Sequence, residues 1–348
     1  MTATPPALPT LGVLLPRDLP TDLVLPYARR AEEVGLAEIW VVEDLGFRGG
    51  IAQAAAVLGA TERIVVGIGI LPAAARNEVF GAMELATLAQ LHPGRLVVGL
   101  GHGMPDWLRR VGAWPARPLH RLATTTTTTR DLLRGLPVVN VGRDGEHREW
   151  RLEPSALPDV VPPVVLGVRG PRSIALAGTI ADGLVLAEPV TPEYVRAARE
   201  QAGRSAGDDW IVAGYLPAAI VPAGPDGPDG LDGPDGLDGG AAAEAAAVAA
   251  VRPGLAWVGE PDWAPHLAPL PFADRIAELR AEVGQEGFAA ALPAEWVRQL
   301  ALAGSPEAVR ARLAELAAAG LTTAVLMPTG PDPMAALDAF ALLLDQES

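Results

Sequence analysis

The sequence predicts one (β/α)8 TIM barrel of the α/β class, decorated by insertions. Three observations predict it: short apolar β-branched runs recur along the chain, helix-spaced segments separate them, and the runs number eight. They cover residues 11–15, 38–42, 63–70, 95–99, 163–167, 182–186, 210–221 and 322–327. Near-continuous apolar runs mean strands buried on both faces, the condition of a parallel sheet jacketed by helices. Eight of them favour a closed barrel over an open sheet. A chain of 348 residues, 49% of them hydrophobic, is long enough for one such core, so residues 1–348 are read as a single domain.

The helix signals agree in order. Residues 20–35 end in Gly35, and 77–91 stop before Pro93 and Gly94. Ser305-Pro306-Glu307 sets an N-cap serine before a first-turn proline and opens a helix that ends at Gly320. The six threonines 124–129 are poor helix formers, because branching at Cβ restricts χ1. Leu119, Leu122, Leu132 and Leu133 flank them, so this stretch is also read as helix.

Two insertions interrupt the alternation. Residues 138–152 read as a β-hairpin between the fourth and fifth strands, turning at Gly142-Arg143-Asp144-Gly145. Residues 224–240 repeat Pro-Asp-Gly and Leu-Asp-Gly. Five triplets are too few for a collagen-like trimer, and five aspartates repel one another, so an acidic disordered loop is expected, with weak calcium binding as the alternative.

Composition removes whole classes of function. A formal charge of -15 repels phosphate backbones and anionic lipid, which excludes nucleic acid and membrane surfaces as partners. With no Cys there are no disulfides, thiolate metal sites or cysteine nucleophiles. All 27 basic residues are Arg, so Schiff-base chemistry on lysine and the P-loop motif are excluded as well. The first ten residues lack a basic leader segment, and the Ala-rich stretch 241–251 is far shorter than the roughly 20 apolar residues that span a bilayer. A cytoplasmic protein fits this. The five histidines, at 92, 102, 120, 147 and 266, have no metal-ligand spacing, and no Gly-x-Ser-x-Gly elbow is present.

In a barrel of this kind chemistry sits at the carboxyl ends of the strands. After the second run stand Glu43 and Asp44, followed by Arg48. These carboxylates suit proton transfer or substrate orientation, or else Asp44 caps a helix or pairs with Arg48. The third run carries Gly67 and Gly69, which mark either a bulge beneath a planar ring or steric relief at a tight corner. The fourth leads into Gly101-His102-Gly103-Met104, where glycines let backbone approach a ligand and His102 either donates a proton or is merely solvated. The fifth leads into Val168-Arg169-Gly170-Pro171-Arg172-Ser173, a helix start with free amides and two arginines: an anion site, or an ordinary capped turn. Leu45, Phe47, Trp107 and Trp114 are candidates for lining an apolar pocket.

Residues 40–50, 62–103 (including Leu91-His92-Pro93-Gly94-Arg95) and 164–188 resemble the luciferase-like monooxygenases, above all their branch dependent on the deazaflavin coenzyme F420. The resemblance covers most of the chain apart from the surroundings of 224–240. It implies an oxidoreductase that moves a hydride between a small organic molecule and F420, with Asp44, His102 or Glu43 handling the proton. It also implies a bulge with a non-proline cis peptide at Gly69-Ile70, cofactor contacts at Gly101, His102 and Gly103, and a phosphate-binding helix start at Gly170 to Ser173. Reduced FMN with oxygen, fed by a separate reductase, is the alternative, and a non-catalytic flavin or deazaflavin binder is a second. A homodimer is common in the family. The chain departs from the family pattern in two places: Glu43-Asp44 stands where many F420-dependent relatives have Asp-His, and Met104 where some have an acid.

Overall fold

The computed structural model describes residues 8–141, 146–221 and 239–344. In chain order its strands are β1 (Thr10–Leu14), β2 (Glu38–Val41), β3 (Val65–Pro72), β4 (Leu96–Gly101), β5 (Val138–Val141), β6 (His147–Trp150), β7 (Val164–Gly167), β8 (Gly183–Leu186), β9 (Ile211–Ile220), β10 (Leu302–Gly304) and β11 (Thr323–Pro328). Parallel pairing runs β1-β2-β3-β4-β7-β8-β9-β11, and β11 returns to β1, which closes an eight-stranded barrel. The fold is the TIM barrel, and all eight predicted runs are its strands.

Each strand is buried on both faces for different reasons. One set of side chains, including Trp40, Val97, Val165, Val185, Tyr215 and Val325, fills the barrel interior. The alternate set, such as Val13, Ile39, Val66, Val98, Leu166 and Leu326, packs outward against the helices.

Local chemistry explains the helix starts. Asn77 Oδ1 accepts from the amides of Val79 at 3.0 Å and Phe80 at 3.3 Å, opening the helix Glu78–Leu91. Ser305 Oγ accepts from Ala308 N at 3.3 Å and opens Pro306–Ala318. The threonine run lies inside the helix Pro118–Leu133. Its hydroxyls find carbonyls one turn back, Thr126 to Leu122 O at 2.8 Å and Thr127 to Ala123 O at 3.0 Å. Residues 20–35 hold a 3-10 turn, Thr21–Leu23, before the helix Val24–Glu33, so the regular helix is shorter than expected.

Strands β5 and β6 pair antiparallel with Val138 opposite Trp150 and Val141 opposite His147; the turn between them lies outside the described residues. So does most of the acidic repeat, but its last two residues, Gly239 and Gly240, begin the helix Gly239–Val251, which corrects the expected end of that loop. The Ala-rich segment that follows is a strong helix former and extends back onto the glycines.

A helical insert fills the path from β9 to the last barrel strand. It contains Ala273–Ala291, broken at Gly284 (φ 69°), and Ala294–Leu300, and it has a core of its own around Val251, Leu255, Ile276, Phe288, Trp296 and Val297. Its exit is the short strand β10, which extends the sheet by pairing Leu302 with Ala218 and Gly304 with Ile220 at the far end of β9. That ninth strand had no counterpart in the eight predicted runs, since three residues are too few to register as an apolar run. Among the described residues no helix is long and apolar enough to cross a membrane.

Candidate active site

The strand ends meet in a cavity of about 550 Å³. Glu43 and Asp44 after β2, Gly69 and Ile70 in β3, His102 and Gly103 after β4, Val168, Arg169 and Gly170 after β7, and Tyr215 of β9 all line it. Gly69 and Gly170, a hundred residues apart in sequence, therefore face one space.

The wall formed by β3 is kinked. Ile68 pairs with Val98 and Leu71 with Leu100, so β3 spends three steps where β4 spends two, which is a bulge. The Gly69-Ile70 peptide within it is cis, at the position the resemblance implied. Tyr215 Oη donates to Gly69 O at 3.0 Å and pins the kink from across the barrel. The two glycines meet different neighbours. A methyl at Gly67 would overlap the indole of Trp40, which is relief of crowding; one at Gly69 would overlap Tyr215 Oη, at the bulge itself. Gly101 does not line the cavity. It lies beneath the Ile70 side chain, where a Cβ would come within 3.0 Å of Ile70 Cγ1 and 2.6 Å of Gly167 O.

The two acids after β2 are held differently. Arg76 Nη2 donates to both oxygens of Glu43, at 2.7 and 2.8 Å, and Glu43 Oε2 also accepts from Gly50 N at 2.8 Å, so this carboxylate closes a helix start. Asp44 neither caps that helix nor meets Arg48. Its partner is Arg17, at 2.6 Å, while Arg48 donates to the carbonyls of Arg17 and Leu19. With its side chain 24% exposed, Asp44 is the more accessible of the two carboxylates, Glu43 being 16% exposed.

His102 is not a solvated loop residue. Its Nε2 lies 3.0 Å from Ser173 Oγ, and burial pushes its pKa below the usual histidine value, which favours the neutral ring. This contact ties the loop after β4 to the turn after β7. In that turn the helix Pro171–Ile180 begins at Gly170 without a side-chain cap. The amides of Ser173 and Ile174 both turn onto Gly170 O at 3.0 Å, and Pro171 has no N–H. Among the described residues, the first-turn amide left for an anion is that of Arg172, with the Ser173 hydroxyl beside it. The Arg172 side chain is exposed, and neither it nor Pro171 nor Ser173 lines the cavity. Arg169 does line it, with its guanidinium 4.4 Å from the Trp263 ring of the insert.

Leu45 and Phe47 do not line the cavity; they are 46% and 48% exposed, with Arg17 stacked on Phe47 at 4.7 Å. Trp107 and Trp114 do line it. Several neighbours of the site went unnoticed in the sequence. Arg17 and Glu188 stand just past the first and sixth strands, so scanning every strand end would have found them. Glu188 is half-buried near Asp44, Arg17 and Arg169. Burial pushes its carboxyl up, partly opposed by a hydrogen bond from its own backbone and by Arg169. Tyr215, a polar-tipped aromatic inside an apolar strand, carried a weak signal. Trp263 and His266 carried none, since long-range packing of the insert puts them there. His266 is fully buried, stacked on Tyr194 at 4.5 Å with Nδ1 3.4 Å from Pro189 O, and burial lowers its pKa to about 3.

These features define a class: a (β/α)8 barrel whose bulged third strand and uncapped helix start share one cavity at the carboxyl ends of the strands. The sequence profile of the luciferase-like monooxygenases matches residues 12–220, more than half of the chain, and the chain belongs to that family. Among its curated relatives are the 5,10-methylenetetrahydromethanopterin reductases of Methanolobus tindarius, 27% identical over 53% of this chain and 59% of that protein, and of Methanopyrus kandleri, 25% identical over 93% and 94%. The F420-dependent glucose-6-phosphate dehydrogenase of Microbacterium testaceum is 30% identical over 50% and 54%. The chain thus spans between half and two thirds of the length of several curated relatives it matches. Solved structures with the same fold include the coenzyme F420-dependent tetrahydromethanopterin reductase from Methanopyrus kandleri, with a TM-score of 0.71 at 20% identity over 96% of this chain and 98% of that one. The FMN complex of the oxygenating constituent of 3,6-diketocamphane monooxygenase from Pseudomonas putida reaches 0.69 at 16% identity over 97% and 96%.

Proposed function

We propose that this protein is an oxidoreductase that uses coenzyme F420 to oxidise or reduce a small organic molecule. The observation that carries the reading is the shared cavity: the kink at Gly69 and Ile70, pinned by Tyr215, stands against the turn at Gly170, bridged through His102 and Ser173. A planar ring against the kink with a phosphate at the turn fits this arrangement. Gly101 and Gly167 leave room for the Ile70 side chain beneath the ring position, and a Cβ at Gly170 would meet nothing within 4 Å, so the approach to the helix start is open. When bound, the deazaflavin supplies a carbon that accepts or returns a hydride.

The residues of the chain do the rest. Ile70, Val168 and Gly103 shape the ring site; the Arg172 amide, Ser173 Oγ and the Arg169 guanidinium serve the phosphate. Arg17 holds Asp44 in place at the cavity edge, where it takes the proton of an oxidised substrate. His102 acts as a positioning residue, neutral and tied to Ser173, and Glu43 holds the helix start with Arg76. The curated relatives named as F420-dependent support this cofactor. The FMN-bound neighbour of nearly equal structural similarity supports the second reading, a reduced-flavin monooxygenase fed by a reductase.

Parallel titrations with F420 and FMN test the choice, with F420 expected to bind at least about tenfold more tightly. Tight FMN binding without F420 binding would overturn it. Asp44→Asn is expected to lower turnover by about 10²-fold or more while cofactor affinity stays nearly unchanged.

A further inference from the structure

On the reading that the cavity seats a deazaflavin, we propose that the other reactant is an uncharged, ring-bearing carbonyl compound or the corresponding alcohol, stacked on a wall made by Trp107 and Trp114. Part of the cavity lining is built for apolar contact. Trp107 and Trp114, both half-buried, line it together with Pro105 and Pro118, and Pro261 and Pro265 of the insert also line the space. Four prolines contribute no amide donors of their own, which lowers the number of backbone groups this region offers an anion. Flat indole faces instead favour a ring.

The charges point the same way. Arg17 is paired with Asp44 at 2.6 Å and Arg76 with Glu43 at 2.7 Å. Arg109, 5.3 Å from the centre of the Trp114 ring, is paired with Asp106 at 2.8 Å. Arg169 lies on Trp263 beside the phosphate turn. There is no lysine in the chain to add a cation. Asp262, which also lines the cavity, has no ion pair among the described residues and repels an anion further. A phosphorylated substrate would therefore meet committed cations and an uncompensated acid. In the oxidative direction the carbinol carbon gives up a hydride to the cofactor and its hydroxyl gives a proton to Asp44, leaving the ketone; reduction reverses both transfers.

The test is calorimetric titration of the full chain with α-tetralone and with glucose 6-phosphate, for the wild type and for a variant carrying Trp107→Ala and Trp114→Ala. Tetralone is expected to bind at least about tenfold more tightly than the sugar phosphate, and the variant to lose at least about fivefold in tetralone affinity. Its F420 affinity is expected to stay within about twofold of the wild type. If the double variant does not fold, Trp107→Leu and Trp114→Leu, which keep apolar bulk without the indole face, should weaken tetralone binding in the same direction. Tighter binding of glucose 6-phosphate, or tetralone binding unaffected by the folded variants, would overturn the proposal. Loss of the cofactor reading shows separately, as wild-type protein that does not bind F420.

Discussion

Tyr215 and Gly69 show how single atoms set the shape of the cavity. The Tyr215 hydroxyl is buried and occupies the space that a methyl at Gly69 would need. Gly69→Ala is therefore expected to destabilise the protein by about 1 to 3 kcal/mol, as overpacking does. Tyr215→Phe alone leaves Gly69 O without its donor, at about 1 to 3 kcal/mol. Combined, the two changes should destabilise by less than their sum, because the phenylalanine removes the overlapping oxygen; denaturant unfolding of the four proteins in a double-mutant cycle reads the coupling, and simple additivity would refute the contact. His266 supplies a pH-dependent prediction. Its pKa is held near 3 in the folded protein, below the usual value of about 6.5 in the unfolded chain. The unfolded state then binds the proton first, so this contribution is present above pH ~6.5 and fades as pH falls toward 3, by up to ~1.4 kcal/mol per pH unit. Glu38 and Glu188, both raised by burial, act in the opposite sense, so the wild type alone does not isolate the histidine. His266→Phe keeps a ring against Tyr194 and removes the titration. The stability difference between it and the wild type should change with that slope between about pH 6 and 4, and a flat difference would exclude the buried neutral ring.

At the scale of elements, caps and strands were legible because their causes are local. Asn77 bonds two amides within three residues of itself, and Ser305 one, which is why these helix starts are readable from residue type and spacing. Asn77→Ala should lower stability by about 1 kcal/mol in thermal or denaturant unfolding and leave cofactor binding unchanged, since no polar contact of the site depends on it. The barrel strands were legible for the same reason, as burial on both faces writes itself into continuous apolar runs. What the residues alone left open was the partner of each side chain. Arg48 is the cation near Asp44 in sequence, yet Arg17, 27 residues earlier, holds it. His102 has no polar partner near it in sequence, yet Ser173 holds it from 71 residues away. Strand ends mark which residues face the mouth, but ion pairing there is decided by how the barrel closes.

The whole molecule combines a barrel that fixes one wall of the cavity with a helical insert that supplies another. The insert was the least legible part: its core of Phe288, Trp296 and Val297 is not tied to any strand signal, and its approach to Arg169 through Trp263 depends on tertiary packing. Because the Arg169 guanidinium lies over that ring, Trp263→Ala should weaken cofactor binding by roughly two- to fivefold, the effect of about 0.5 to 1 kcal/mol of cation–π contact, with little change in melting temperature. A large loss of stability would mean instead that Trp263 holds the insert together. On this account one ligand spans from the kink in β3 to the helix start after β7. A crystal structure of the protein grown with F420 tests this most directly. The ring is expected against Gly69 and Ile70, with the phosphate at the Arg172 amide and the Ser173 hydroxyl. A ligand seated away from the Gly69-Ile70 peptide, or a phosphate bound elsewhere than this turn, would contradict it.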